Sequence, residues 1–355
     1  MKMDIVHVVK RYGPVGGMER YVWEVTRELA KLGHRVTVLC ERCHAEKPAE
    51  ITVVELGETA KRPRWLSQVR FSFRVTRWVR ENPCPGRVIH SHERIGVHDV
   101  TTFHGPPFAT IYEKGWWRFI SLRVWVRLYL ERRELATAKI IVPNSSFISR
   151  QLSHYYPEMT GKLSNPIVPG VLPGKQREFR IVPKDGGVVC FVGWEWQRKG
   201  LPLAVEIIAS LRVTRPNLEL WVVGPKPSEL EHLFAGWNGG FRLLGWRSDN
   251  DYFSDVDVLL HPAIAEPYGM VISEAMAAGV PVVISDVCGA VEHVSADSGS
   301  ILPLDAPISE WVAAVSVQLD RIQPPPDFMR GWELVAHEYE QIYSTVSARS
   351  ISSSN

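Results

Sequence analysis

No stretch of this chain approaches about 18 uninterrupted apolar residues, so no transmembrane helix is expected. The N-terminus, Met1-Lys-Met-Asp-Ile-Val-His-Val-Val, is too short in its apolar part for a signal peptide, and no cleavage pattern follows; it reads as a first β-strand. Cysteine is scarce. The five residues, at 40, 43, 84, 190 and 288, form an odd and scattered set, which argues for a reducing cytosol and against a disulfide framework. Cys40-Glu-Arg-Cys43 lacks a second C-x-x-C pair and reads as the end of the second strand. Net charge is only +2, and no recognised nucleic-acid motif accompanies the basic segments.

What is present suits a globular enzyme of about two domains: 355 residues, 45% hydrophobic and 23% charged. Strand and helix signals alternate. Ile5–Val9 is an apolar strand, Glu19–Leu32 an amphipathic helix ended by Gly33, and Arg35–Cys40 the next strand. Ile51–Leu56, Val88–His90, Val100–Phe103 and Lys139–Val142 continue the pattern, and Asn144-Ser-Ser caps a helix over Phe147–Tyr155. Residues 165–175, rich in Pro and Gly, read as a linker. The alternation then restarts with strands at Gly187–Gly193, Leu218–Gly224, Phe241–Leu244, Val258–His261 and Val280–Ile284, and a helix at Gly200–Leu211. Pro324-Pro-Pro326 breaks the chain before a last amphipathic helix, Phe328–Val346. The expected architecture is α/β: two doubly wound Rossmann-like domains, 1–170 (with helix 328–346) and 176–326, whose carboxyl strand ends face a cleft.

The run Glu266-Pro-Tyr-Gly-Met-Val-Ile-Ser-Glu274 sets two carboxylates around a glycine-containing turn. On one continuous helix they would stand roughly 80° apart in projection, so Glu266 is expected on the entering loop and Glu274 in the early helix. The amides of Gly269, Met270 and Val271 would then point out of a helix N-terminus, ready for an anion. Gly193-Trp-Glu-Trp-Gln-Arg-Lys-Gly200 follows a strand and opens a helix, which sets Arg198 and Lys199 beside a second N-terminus. A planar guanidinium fork and a compact ammonium together can offset a diphosphate without a metal ion. Gly13-Pro-Val-Gly-Gly17 departs from the dinucleotide spacing Gly-x-Gly-x-x-Gly. It is either a turn that admits phosphate at Gly16 and Gly17 or a plain glycine turn. His90, His92 and His104 fall near strand ends with Asp99 between them. Hydrogen-bonded histidines account for the first two, while His104 precedes a Gly-Pro-Pro loop and is the stronger functional candidate; no metal ligand set is assigned. Glu195 and Asp286 receive no role. Residues 61–80 hold seven basic and no acidic residues, and 112–133 interleave Lys and Arg with Trp, Phe and Tyr. Both suit an anionic membrane surface. A solvated helix face over an ordinary core is the alternative.

Taken together, Gly16-Gly17, Arg198-Lys199-Gly200 and Glu266-x7-Glu274, in that order, resemble the retaining GT-B-fold glycosyltransferases of family 4. Gln197-Arg-Lys-Gly200, Leu259-Leu-His-Pro-Ala263 and Val287-Cys-Gly289 are similar to the lipopolysaccharide core α-glucosyltransferases of Gram-negative bacteria. The resemblance implies a UDP-sugar donor, UDP-glucose first among them, with no cofactor and no divalent metal. It implies that Glu266 holds a sugar hydroxyl and Glu274 the ribose. Arg198, Lys199 and the amides of Gly17, Met270 and Val271 would stabilise the departing diphosphate. His104 would stand on the acceptor side, and the final helix would cross back to the first domain. The acceptor would be a glycolipid, lipopolysaccharide core, reached from the cytoplasmic side by a peripheral enzyme. Tyr268 stands where other members carry Phe or a small residue, next to the sugar pocket. Two other functions fit the same residues: an epimerase or hydrolase acting on the UDP-sugar alone, and a non-catalytic sugar-nucleotide-binding subunit.

Overall fold

Short apolar runs, buried on both faces in the central strands, form the sheets, as in a parallel sheet covered by helices. A computed structural model describes residues 2–59, 62–113, 115, 121–172, 174–247 and 249–352, with 349–352 as backbone alone. Lys61, Lys114, Trp116, Trp117, Arg118 and Phe119 of the basic segments, Pro173 of the expected linker and residues 353–355 lie outside the described residues. The chain divides into two compact units, Met1–Gly170 with Gly331–Asn355, and Val171–Arg330.

In the first unit the order is β1 (Asp4–Val8), β2 (Arg11–Tyr12), α1 (Gly17–Lys31), β3 (Arg35–Cys40), β4 (Arg42–Cys43), β5 (Thr52–Glu55), α2 (Arg64–Glu81), β6 (Val88–Ser91), β7 (Val100–Phe103), α3 (Leu122–Thr137), β8 (Ile140–Pro143) and α4 (Ser146–Tyr155). The main sheet runs β5-β3-β1-β6-β7-β8, all parallel. Phe71 and Val75 of α2 pack on Val6, Val8, Leu39 and Ile89. Val124, Leu128 and Leu135 of α3 cover the other end with Phe103 and Ile141. Ser145 caps α4, its hydroxyl accepting from Ile148 N at 3.2 Å.

The second unit repeats the plan: β9 (Gly186–Val192), α5 (Leu201–Leu211), β10 (Asn217–Val223), α6 (Pro227–Leu230), β11 (Phe241–Gly245), β12 (Val258–His261), α7 (Met270–Ala277), β13 (Val282–Ser285), β14 (Gly299–Leu302) and α8 (Ile308–Leu319). Its sheet runs β11-β10-β9-β12-β13-β14, again parallel. Trp311 and Val315 of α8 join Leu201, Ile207 and Ile208 of α5 in one buried layer on this sheet. The last helix, α9 (Trp332–Ser352), belongs to the first unit, where Tyr339 meets Tyr21 of α1 hydroxyl to hydroxyl at 2.8 Å. It starts four positions later than Phe328, the chain from the Pro-rich stretch through Gly331 carrying no helical turn.

Both sheets wind outward in opposite directions from a central pair, β1/β6 in one and β9/β12 in the other. Ligands of open α/β sheets bind outside the carboxyl ends of the strands at this switch point. In the second unit the loops leaving β9 and β12 carry the Arg-Lys pair and the Glu266 run.

Candidate active site

The two loops of the second unit are stitched together by backbone. Gly200 holds φ +83, and a Cβ there would lie 1.9 Å from the Pro262 carbonyl oxygen, so only glycine fits. Ile264 N donates to Arg198 O at 2.8 Å. Lys199 folds back across Gly193, where a Cβ would stand 2.1 Å from Lys199 Cδ. This path brings Lys199 Nζ to 3.2 Å from Glu266 Oε2, and Arg198 Nη1 to 3.8 Å from the same atom. Arg198 is aimed by Glu195, whose Oε2 accepts from Nη2 at 2.7 Å and Nε at 3.1 Å, and by the Ala265 carbonyl. His261, the last residue of β12, sets Nε2 3.4 Å from Glu266 Oε2.

Glu266 is 7% exposed. Burial alone would raise its pKa; the Lys199 ammonium, the His261 hydrogen bond and the Arg198 guanidinium outweigh it and hold the carboxyl well below the usual range. Glu266 is therefore an anion and a pure hydrogen-bond acceptor near neutral pH. Burial lowers the pKa of His261, which the bond to Glu266 only partly offsets.

The run that follows is fixed from below. Gly289 N donates to Glu266 O at 2.9 Å and Ala290 N to Tyr268 O at 2.8 Å. Gly269, at φ +96, caps α7, whose first residues are Met270 and Val271. Their amides have no carbonyl a turn earlier in the helix to pair with. Glu274 is the fifth residue of α7 and half-buried. Tyr268 is buried, with its hydroxyl 2.7 Å from Ser273 Oγ and its ring edge-on to His293. Burial pushes its phenol up to about 12. It braces the start of α7, and this hydrogen bond ties up the hydroxyl that a pocket wall would offer.

In the first unit Gly16 is extended, φ −170, and caps α1. Its hydrogen side chain matters through space: a Cβ would sit 2.4 Å from Glu19 Oε2. Glu19 in turn accepts from Arg11 Nε at 2.8 Å. A Cβ on Gly17 would meet nothing within 4 Å, so its backbone is open. His104 follows β7 and is half-buried, edge-on to Tyr21 at 4.9 Å. Its Nε2 lies 2.8 Å from His92 Nδ1, and burial lowers its pKa to about 3. Asp99 belongs to a different contact set, receiving Ile89 N at 3.0 Å and pairing with Lys139 at 2.8 Å. His7, His90 and His92 do cluster tightly enough to suggest a metal. Each ring nitrogen among them already meets a histidine, tyrosine or threonine. Cys40 shows no thiolate character, its thiol being pushed up to about 12 by burial.

The same unit holds a charged cavity of about 630 Å³, lined by Lys10, Arg11, Glu19, Glu41, Arg42 and Glu93 among others. Burial pushes Glu93 up to about 7. Sequence reading missed this cavity, which no single segment builds, and gave no role to His7 or to His261, quoted only within Leu259-Leu-His-Pro-Ala263. The signal for both histidines is a polar residue in an otherwise apolar buried strand, and for His261 also its five-residue spacing from Glu266.

Two doubly wound α/β units, with two cations and a carboxylate at the switch point of the second, follow the plan of the GT-B type. The chain belongs to the family 4 glycosyltransferases: residues 15–163 match the model "Glycosyltransferase Family 4" and residues 186–320 the model "Glycosyl transferases group 1". It is 24% identical over 329 residues to the lipopolysaccharide glucosyltransferase WaaG of Escherichia coli K12, covering 84% of this chain and 85% of that one. It is 26% identical over 366 residues to a phosphatidyl-myo-inositol mannosyltransferase of Mycolicibacterium smegmatis, covering 95% and 92%. Among solved structures, a WaaG crystal structure superposes with TM-score 0.78 at 20% identity over 98% of each chain, which carries the GT-B fold.

Proposed function

We propose that this glycosyltransferase moves a hexose, glucose first, from a UDP-sugar to a hydroxyl of a membrane glycolipid of the lipopolysaccharide-core kind, with retention and without a divalent metal. The observation that carries the reading is the convergence of Lys199, Arg198 and His261 on Glu266 beside the amino end of α7. Two cations and free amides suit a diphosphate, and a carboxylate held anionic suits sugar hydroxyls. In this scheme Glu274 takes the ribose and the amides of Gly17, Met270 and Val271 assist the phosphates. The bond from the anomeric carbon to the diphosphate oxygen breaks as oxocarbenium-like charge develops. The acceptor oxygen bonds to that carbon on the same face, and its proton passes to the departing phosphate. The mixed-charge cavity suits a hydroxyl- and phosphate-bearing acceptor, and in this scheme His104 would serve the acceptor side. The WaaG relative supports glucose and lipopolysaccharide.

The mannosyltransferase relative supports a second reading, in which the sugar is mannose and the acceptor a phosphoinositide-type lipid. A thermal-shift screen of UDP-glucose, UDP-galactose, UDP-N-acetylglucosamine and GDP-mannose decides between them. The largest stabilisation by UDP-glucose supports the first; the largest by GDP-mannose replaces it with the second. Arg198→Ala and Lys199→Ala are each expected to lower turnover by ~10²–10³, the usual cost of one donor aimed at developing charge. Turnover within a factor of two in both would overturn the diphosphate assignment. Product release without any acceptor would favour hydrolysis or epimerisation instead.

A further inference from the structure

Eight consecutive hydrogen bonds in the first unit run from a backbone carbonyl to His104, and the carbonyl fixes the direction of all of them. Ile167 O can only accept, and Tyr21 donates to it at 3.2 Å. Tyr21 has spent its one hydrogen, so at 2.8 Å it accepts from Tyr339. Tyr339 then accepts from Thr102 Oγ1 at 2.8 Å, and Thr102 accepts from His90 Nε2 at 2.7 Å. A neutral imidazole carries one N–H, so His90 Nδ1 accepts from Tyr343 at 2.7 Å. Tyr343 accepts from His7 Nε2 at 3.3 Å, His7 Nδ1 from His92 Nε2 at 3.1 Å, and His92 Nδ1 from His104 Nε2 at 2.8 Å. Within these eight links each hydroxyl and each imidazole donates once. Burial holds all four imidazoles below their ordinary pKa, which keeps them neutral.

We propose that this one-way chain makes His92 a positioning residue, holding His104 as its Nε2–H tautomer, so that Nδ1 is left as the acceptor for a ligand hydroxyl. A protonated or Nδ1–H imidazole would instead donate, and would select phosphate or carboxylate. His104 follows the carboxyl end of β7, where this fold presents ligands. That the hydroxyl belongs to a sugar rests on the proposed glycosyl transfer; the tautomer does not.

Tautomers are assigned from networks and need a direct measurement. Long-range ¹H–¹⁵N correlation of the ligand-free, ¹⁵N-histidine-labelled protein reads them, with His104→Gln identifying the signals. The expected result is a protonated Nε2 and a bare Nδ1 at neutral pH. Tyr343→Phe removes the oxygen that relays direction between His90 and His7. It should move the His104 ¹⁵N pair toward a tautomer average, with melting checked in parallel. His92→Leu should do the same, and His92→Gln, whose amide can accept from His104 and donate to His7, should restore the Nε2–H form. A His104 that is Nδ1–H or doubly protonated in the unsubstituted protein, or one indifferent to Tyr343→Phe and His92→Leu, overturns the proposal. Failure of UDP-sugar turnover, assayed separately, would count against the proposed function and leave the tautomer result standing.

Discussion

At the scale of the residue, Glu266 joins chemistry to stability. Its carboxyl has a lower pKa in the fold than the ~4.3 of an unfolded chain, because Lys199, His261 and Arg198 together outweigh the cost of burial. Such a group stabilises the fold fully above the unfolded value, and the gain is lost as pH falls through it toward the folded value. Glu266→Gln mimics the protonated acid, so it should be less stable than the parent near neutrality. The gap should narrow on acidification from about pH 5 downward, as the parent loses its linkage term and the variant has none to lose. Urea unfolding across that range measures it; a gap of constant size down to about pH 3 would show that the cations around Glu266 do not set its charge. The same substitution separates sugar recognition from folding, because full donor use by a folded Glu266→Gln protein would remove Glu266 from the sugar hydroxyls.

At the scale of the element, the site depends on a few glycines that hold loops in contact. Gly200 at φ +83 faces the Pro262 carbonyl, so Gly200→Ala combines left-handed backbone strain with a clash against backbone that cannot move aside. The expected loss is at least about 2–3 kcal/mol, read by thermal or urea unfolding. Gly236→Ala, with nothing within 4 Å of the new Cβ, is the control and should stay within about 0.5 kcal/mol. Equal effects would mean that the stitched loops do not support the fold. This is also where legibility stops. Apolar period and caps reveal β1, β9 and β12, the Ser145 cap and the Gly269 start of α7, because those signals are local. They miss β14, whose first residue, Gly299, leaves room for the neighbouring strand: a Cβ there would lie 2.2 Å from Val282 O. They miss the turn of Tyr268 toward Ser273, five positions on, because residue type does not say which way a side chain points. They miss the chain from Ile167 to His104 because its partners lie up to 336 positions apart. Acid and cation residue types are legible in one dimension; which atom each one faces is not.

At the scale of the whole molecule, the proposed lipid-bound acceptor would have to be reached by a chain with only +2 net charge. Among the described residues no helix is long and apolar enough to cross a membrane. Charge is instead concentrated on α2 and α3, neighbours in the first unit through Arg133 Nη2 and Ser72 Oγ at 2.9 Å. Not all of it is available. Arg74 is spent on the carbonyls of Leu56 and Gly57, Arg77 pairs with Glu81, and Arg132 pairs with Glu158. Arg64, Arg70, Arg80 and Arg123 are exposed with no ion pair among the described residues, beside Phe73, Leu122, Trp125 and Tyr129, which are 68%, 72%, 57% and 64% exposed. Under the proposed function, attraction of ~1 kcal/mol per basic residue near an anionic surface, plus aromatic insertion at the interface, would make α2 and α3 a reversible anchor. Co-sedimentation should therefore be strong with phosphatidylglycerol-rich vesicles at low salt, weak with phosphatidylcholine, and lost as salt screens the charge. Arg70→Glu should remove much of the anionic preference, and Phe73→Ala with Trp125→Ala should weaken binding while leaving its salt dependence in place. Equal sedimentation with neutral and anionic vesicles would leave α2 and α3 as solvated helix faces and would move the acceptor off the membrane.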